Sequence, residues 1–170
     1  MQSLLNLAER EQIAITYDNI AKRFKTLGLY DSDGVSRQII LHAELKSYPR
    51  LHKCILSEEL GHHFTSVGAS FYKAANCRFW KLNHIKTELR ALKWSCFYLI
   101  PDGSLRHAIH TERLRAIEEF EDYFEVTPEL LLFRLRYVKN PDFLDIDSLL
   151  QREERHILKL AETLADTITP

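Results

Sequence analysis

A chain of 170 residues, 45% hydrophobic and 11% aromatic, can bury the core of one domain, which excludes an intrinsically disordered segment. With 23 basic against 24 acidic residues the net charge is −1, so no overall field draws the chain to nucleic acid or anionic lipid. Cys54, Cys77 and Cys96 contain no C-x-x-C pair, and there is neither a signal-peptide pattern nor a run of about 18 apolar residues. These features argue against a disulfide framework, a thiolate zinc finger or a membrane partner, and the expected location is cytoplasmic.

Five glycines and five prolines predict a helix-rich chain with few elaborate loops. A short helix opens it. In "YDNIAKRFKTLGL", Tyr17, Ile20, Ala21, Phe24 and Leu27 then recur at helical spacing, with Gly28 at the expected C-cap. "DSDG" at 31–34 reads as a turn, and "VSRQIILHAEL" after it as a strand centred on Ile39–Leu41. "SYPRLHKCILSEELGHHF" reads as a helix with Ser47 as N-cap and Pro49 in its first turn.

Residues 66–84, with Phe71, Tyr72, Phe79 and Trp80, read as irregular or partly extended. A strong helix is expected from about Lys86 to Ile100, stopped by Pro101–Asp102–Gly103. Helices resume from Ser104. Thr127 is expected to cap one whose first position is Pro128, and residues 148–168 read as a last amphipathic helix with Leu149, His156, Ile157, Leu160, Leu164 and Ile168 near one side. The predicted fold class is α+β and helix-rich, with a short sheet in residues 1–103 and a helical region packed on it in 104–170.

The chemistry concentrates in "SEELGHHF". Residues four apart share one helix face, so Glu58 pairs with His62 and Glu59 with His63. At about 100° per residue, Glu58 and His62 fall within the inward stripe of Leu51, Cys54, Ile55 and Thr65, and Glu59 and His63 on its flank beside Leu56. Gly61 costs about 1 kcal/mol against alanine inside a helix, which suggests close approach of another segment. An ionised carboxylate on an inward face needs a partner. A metal would supply one, but Glu58 and His62 can also satisfy each other, or a lysine or arginine can cap them. Glu88 shares a face with Ala91, Leu92, Ser95 and Leu99, a small face suited to tight helix packing. It could point into the same interface, or simply sit in a first turn where an acid favours the helix dipole.

Together, "ILSEELGHHFTSVG" and "ELRALKWSCFYLIP" resemble the ImmA/IrrE-type metallo-endopeptidases of bacteria, phages and mobile elements. That family carries H-E-L-G-H on one helix. On the next it carries a glutamate, then alanine, an aromatic and a terminal L-[LIM]-P, a spacing that Glu88, Ala91, Trp94 and "LIP" at 99–101 keep. The strand "RQIILHAEL" and the later "EDYFEVTPELLLFRL" fit as well, so the likeness covers roughly residues 10–138. It implies a small zincin-like metalloprotease core followed by a helical C-terminal part. It further implies metal ligands at Glu58, His62 and Glu88, and Glu59 as the general base acting on water. The implied cofactor is Zn2+, with Mn2+ or another divalent metal as the alternative, and the implied partner is a protein substrate, a phage or mobile-element repressor.

The sequence departs from the family at Glu58, where the first histidine usually stands. Carboxylate oxygen is a legitimate zinc ligand, but two anionic ligands nearly neutralise the ion and weaken it as a Lewis acid, and oxygen donors shift preference toward harder metals. A slow or conditional protease is expected. The expected role of His63 is a surface histidine, with an oxyanion-side donor or a substitute ligand as alternatives. The remaining histidines are expected at surface or capping positions, and the cysteines in the core.

Two other functions compete with the protease. One is a catalytically weak or inactive metalloprotease-like protein acting as a protein–protein interaction module. The other is a DNA-binding module, since residues 117–138 have a helix-turn-helix look with Arg134, Arg136 and Lys139 as a basic cluster. Glu118, Glu119, Glu121 and Asp122 precede that cluster and oppose phosphate, so direct nucleic-acid binding is not expected.

Overall fold

The computed structural model describes residues 1–19, 26–65 and 78–138, with side chains in the last stretch described from residue 86. Among these residues the fold is α+β and helix-rich. Helix α1 (Gln2–Arg10) leads into strands β1 (Ala14–Asp18), β2 (Gly28–Ser32) and β3 (Arg37–His42), and a 3-10 turn at Ala43–Ser47 follows. Five further helices complete it: α2 (Pro49–Thr65), α3 (Arg78–Leu99), α4 (Asp102–His110), α5 (Ile117–Phe124) and α6 (Pro128–Leu135). No helix among the described residues is long and apolar enough to cross a membrane.

The sheet has the order β1–β3–β2, with β3 central, parallel to β1 and antiparallel to β2. Ile39 and Leu41 on β3 are fully buried, as the apolar run predicted. The helix expected over Tyr17–Leu27 is corrected at both ends, because Tyr17 lies on β1 opposite Leu41 and Gly28 opens β2 instead of capping a helix. A handful of apolar positions fits either period, and hydrogen bonding to β3 decides between them. Ile20, Ala21 and Phe24 lie outside the described residues. The turn is tighter than predicted, since Asp31 and Ser32 remain in β2. Asp33 makes the corner, its carboxylate accepting from the N–H groups of Val35 (2.8 Å) and Ser36 (2.7 Å). Gly34 there has φ 89°, a conformation glycine adopts at no steric cost.

Helix α2 begins at Pro49, one residue later than a Ser47 N-cap would place it: the residue before it is Tyr48, whose carbonyl accepts from His52 N (2.8 Å), and Ser47 ends the 3-10 turn. Helix α3 is longer than predicted. It already includes residues 78–84, a stretch without glycine or proline to halt the helix; residues 66–77 lie outside the described residues. Helix α3 ends at Leu99, just before Pro101–Asp102–Gly103 as predicted, but the next helix starts at Asp102 and not at Ser104. Pro101 is the N-cap of α4, and Asp102 and Gly103 form its first turn, so the boundary drawn at 103 falls inside a helix. Thr127 holds the N-cap position of α6 without a side-chain cap bond, and its N–H lies 3.4 Å from Cys54 Sγ. The amphipathic stretch at 148–168 lies outside the described residues.

Helix α2 runs between two apolar clusters. Leu56 and Leu60 join Leu4, Leu7, Ile39 and Leu41 on the sheet side. Cys54 joins Cys96, Ile100, Phe120, Leu131 and Leu135 on the side of the C-terminal helices. Arg134, 0% exposed, ties those helices to the end of α3. Its Nε donates to the Ile100 carbonyl (2.8 Å), its guanidinium pairs with Asp102, and it lies 4.0 Å from the Phe97 ring centroid. The expected basic cluster at 134–139 therefore loses Arg134 to the core, and Lys139 is outside the described residues.

Candidate metal centre

Helices α2 and α3 meet through their smallest residues. A Cβ added to Gly61 would collide with the Ala91 carbonyl oxygen, and Ser95 Oγ donates to Ser57 Oγ (2.8 Å) in a fully buried contact. Gly61 thus marks the close approach that its cost in a helix suggested. This contact carries Glu88 of α3 to the face of α2 that holds Glu58 and His62. The ligand-type atoms of these three residues all lie within 4.8 Å of one another, and His62 Nε2 is 3.4 Å from Glu88 Oε2. Glu88 sits well inside α3, so a first-turn dipole no longer accounts for it. His62 is buried, while the Glu88 side chain is 42% exposed at the rim and leaves the group open to solvent.

Glu59 departs from the expectation. It is buried at 8% exposure, not on a flank, because the sheet covers the side of α2 that a wheel drawn for one neighbour leaves outside. A Cβ on Gly28 would stand 2.5 Å from Glu59 Oε1, so only glycine lets β2 lie this close. His42 N donates to Leu27 O, and the antiparallel alternation then turns the Tyr30 N–H away from β3. That N–H donates to the Glu59 carboxylate.

The electrostatics follow from burial. Desolvation, opposed by His62 and reinforced by Glu58, pushes the Glu59 carboxyl up to about 7. Burial also raises Glu58, with His62 opposing and Glu88 adding to the shift. For His62, burial disfavours the imidazolium, but the hydrogen bond its ring donates to Glu88 and the charges of Glu59, Glu88 and Glu58 outweigh it and raise the ring. Three acids around one imidazole form an anionic pocket. One nitrogen and two carboxylates at this spacing are donors that a divalent cation fits.

His63 is neither a surface histidine nor part of this group. Its Nδ1 is 2.9 Å from the Tyr30 hydroxyl, its Nε2 faces the Glu11 carboxylate at 3.6 Å, and its side chain is only 12% exposed. It links α1, β2 and α2 behind Glu59. Tyr30, Gly28 and Glu11 carry no motif; the pairing of β2 with β3 brings the first two to the site, and Glu11 arrives from the end of α1. His42 takes the expected capping role, accepting from Glu44 N, and His52 meets the Tyr17 hydroxyl at 3.1 Å. Cys54 and Cys96 are buried free thiols in the helix-side core, away from the donor set. Compared with protein-family profiles, with curated proteins and with solved structures, the chain matches none of them.

Proposed function

We propose that this chain is a metal-dependent endopeptidase of the ImmA/IrrE type, built on a zincin-like core, that cleaves a specific protein such as a phage or mobile-element repressor. The observation that carries the reading is the convergence of Glu58, His62 and Glu88 from two helices to within 4.8 Å, with Glu59 beside them. Glu58, His62 and Glu88 would hold the divalent ion. Such an ion supplies Lewis acidity, polarising a peptide carbonyl and making water easier to deprotonate.

The remaining work falls to Glu59. Burial holds that carboxyl above the ordinary carboxylate range, and a divalent ion on the neighbouring residues would draw it back down, so the ionised form can take a proton from the attacking water and return it to the departing amine nitrogen. The Tyr30 N–H and the Cα of Gly28 hold that carboxylate in one place, which limits the reorganisation the proton transfer requires. Burial of His62 and the contact between Gly61 and Ala91 keep the two helices from drifting apart.

A second reading rests on the same bond. Because Glu59 anchors β2 onto α2 through the Tyr30 N–H, it has a structural use without catalysis, as in a metalloprotease-like interaction module. Digestion of a proteome-derived peptide library, read by mass spectrometry, separates the two. The endopeptidase predicts chelator-sensitive cuts by the parent that disappear in Glu59→Gln and His62→Ala. A Glu59→Gln variant that cuts as fast as the parent would refute the assignment, and a folded parent that cuts nothing at any metal loading favours the module.

A further inference from the structure

The donor set at the centre is unusual in its balance. Two of the three donors are carboxylates, and the third, His62, is the buried one. The two described cysteines lie in the other apolar cluster, so no thiolate joins it among the described residues. Soft and borderline ions gain most from sulfur and imidazole, whereas carboxylate and water suit hard ions such as Mn2+.

Geometry adds to composition. A carboxylate can bind through one oxygen or two, and the Glu88 side chain, 42% exposed, has freedom to do either. Glu58 is also partly exposed, so water can reach the group from the rim. The centre can therefore offer five or six donors, counting water. A closed four-donor zinc site, by contrast, has its ligands fixed and dry.

We infer that Glu58 makes this centre select for hard, water-retaining divalent ions, narrowing the advantage of Zn2+ over Mn2+ that a histidine at this position would confer. The inference rests on the metal-centre reading above and adds to it the class of ion. Zinc still binds, since the general affinity order favours it at most nitrogen and oxygen sites. What Glu58 changes is the ratio.

The test is metal affinity, measured on the full-length chain by competition with a fluorescent chelator, using Mn2+ and Zn2+ alone. The parent, Glu58→His and Glu58→Asp are compared, with His62→Ala as the control for site binding. The inference expects the Zn2+ to Mn2+ affinity ratio to rise by about tenfold or more in Glu58→His and to stay near the parent value in Glu58→Asp. A parent that binds both ions through His62, with a ratio that Glu58→His leaves unchanged, overturns the inference and leaves the metal centre standing. A parent that binds neither ion overturns the metal centre, and the inference falls with it. Should Glu58→His fail to fold, Co2+ added to the parent decides. A weak visible absorption marks a five- or six-coordinate ion and supports the inference, and an intense tetrahedral band overturns it.

Discussion

Gly61 and Ala91 meet backbone to backbone, with the position of a Gly61 Cβ already 3.0 Å from both the Cα and the carbonyl carbon of Ala91. The separation of α2 and α3 is set there, and with it the distance from His62 to Glu88.

Gly61→Ala is therefore expected to destabilise the protein, against the usual rule for glycine in a helix. Alanine gains about 1 kcal/mol of helix propensity, but forcing a methyl into packed backbone costs about 1–3 kcal/mol. The neighbour is a carbonyl on a rigid helix and cannot swing aside. Because it would overlap a backbone oxygen, the methyl belongs in the upper part of that range, about 2–3 kcal/mol, so a net loss of about 1–2 kcal/mol in urea unfolding is the expected result. A variant as stable as the parent would show that the helices can part freely.

Arg134 and Arg50 both make ion pairs, and their substitution separates a buried arginine from an exposed one. Arg134 is fully buried, so Arg134→Ala leaves the Ile100 carbonyl without its donor and a cavity beside Phe97, while Asp102, 66% exposed, turns to water. The expected loss is about 2–5 kcal/mol, from the cavity and the unpaired carbonyl. Arg50 and Asp122 pair with side chains 47% and 72% exposed, and Arg50→Ala is expected to cost less than about 1 kcal/mol. Equal losses in denaturant melts would contradict this ranking.

Stability of the chelated protein is expected to fall as pH rises from about 5 to 8. The folded-state carboxyl of Glu59, near 7 against 4.5 in the unfolded chain, binds its proton more tightly when folded, so ionising it works against folding. The raised carboxyl of Glu58 acts in the same sense. The raised ring of His62 does too, since its contribution is present below 6.5 and lost as pH passes through its folded value. For Glu59 the effect is on the order of 3 kcal/mol. Glu59→Gln keeps an acceptor for the Tyr30 N–H and removes the ionisation, so its melting temperature is expected to vary less across this range. Parallel pH curves for parent and variant would be evidence against a buried Glu59.

Cys54 and Cys96 are expected to resist alkylation. Burial raises both thiols, Cys96 to about 11, so at pH 8 almost no thiolate is present and the sulfur is covered. Iodoacetamide followed by peptide mass spectrometry is expected to label both only after denaturation. Rapid labelling of Cys96 in the native protein would mean that α3 and α6 separate readily.

Long periodic runs were legible from residues alone. The run of "RQIILH" and the stretch opening at Pro49 became β3 and α2, with Ile39 and Leu41 on the strand and Leu56 and Leu60 on the sheet side of the helix all in one apolar cluster. Tyr17 and Gly28, at the two ends of the expected helix, lie instead on β1 and β2. The apolar positions of that segment suit a helix or a strand equally, and only β3 chooses. The same ambiguity hid Gly28, whose glycine answers to Glu59, thirty-one residues away.

By itself the sequence determined the pairing of Glu58 with His62, since a four-residue step on a helix is fixed by backbone geometry, and it identified Gly61 as a point of contact. Tertiary structure decided the rest. Glu88 reaches the pair only because Gly61 lies against Ala91. Glu59 is buried because a second layer, the sheet, covers a side of α2 that a single helix wheel treats as open. Spacing along one helix is a local property, but the environment of a carboxylate depends on every element packed around it.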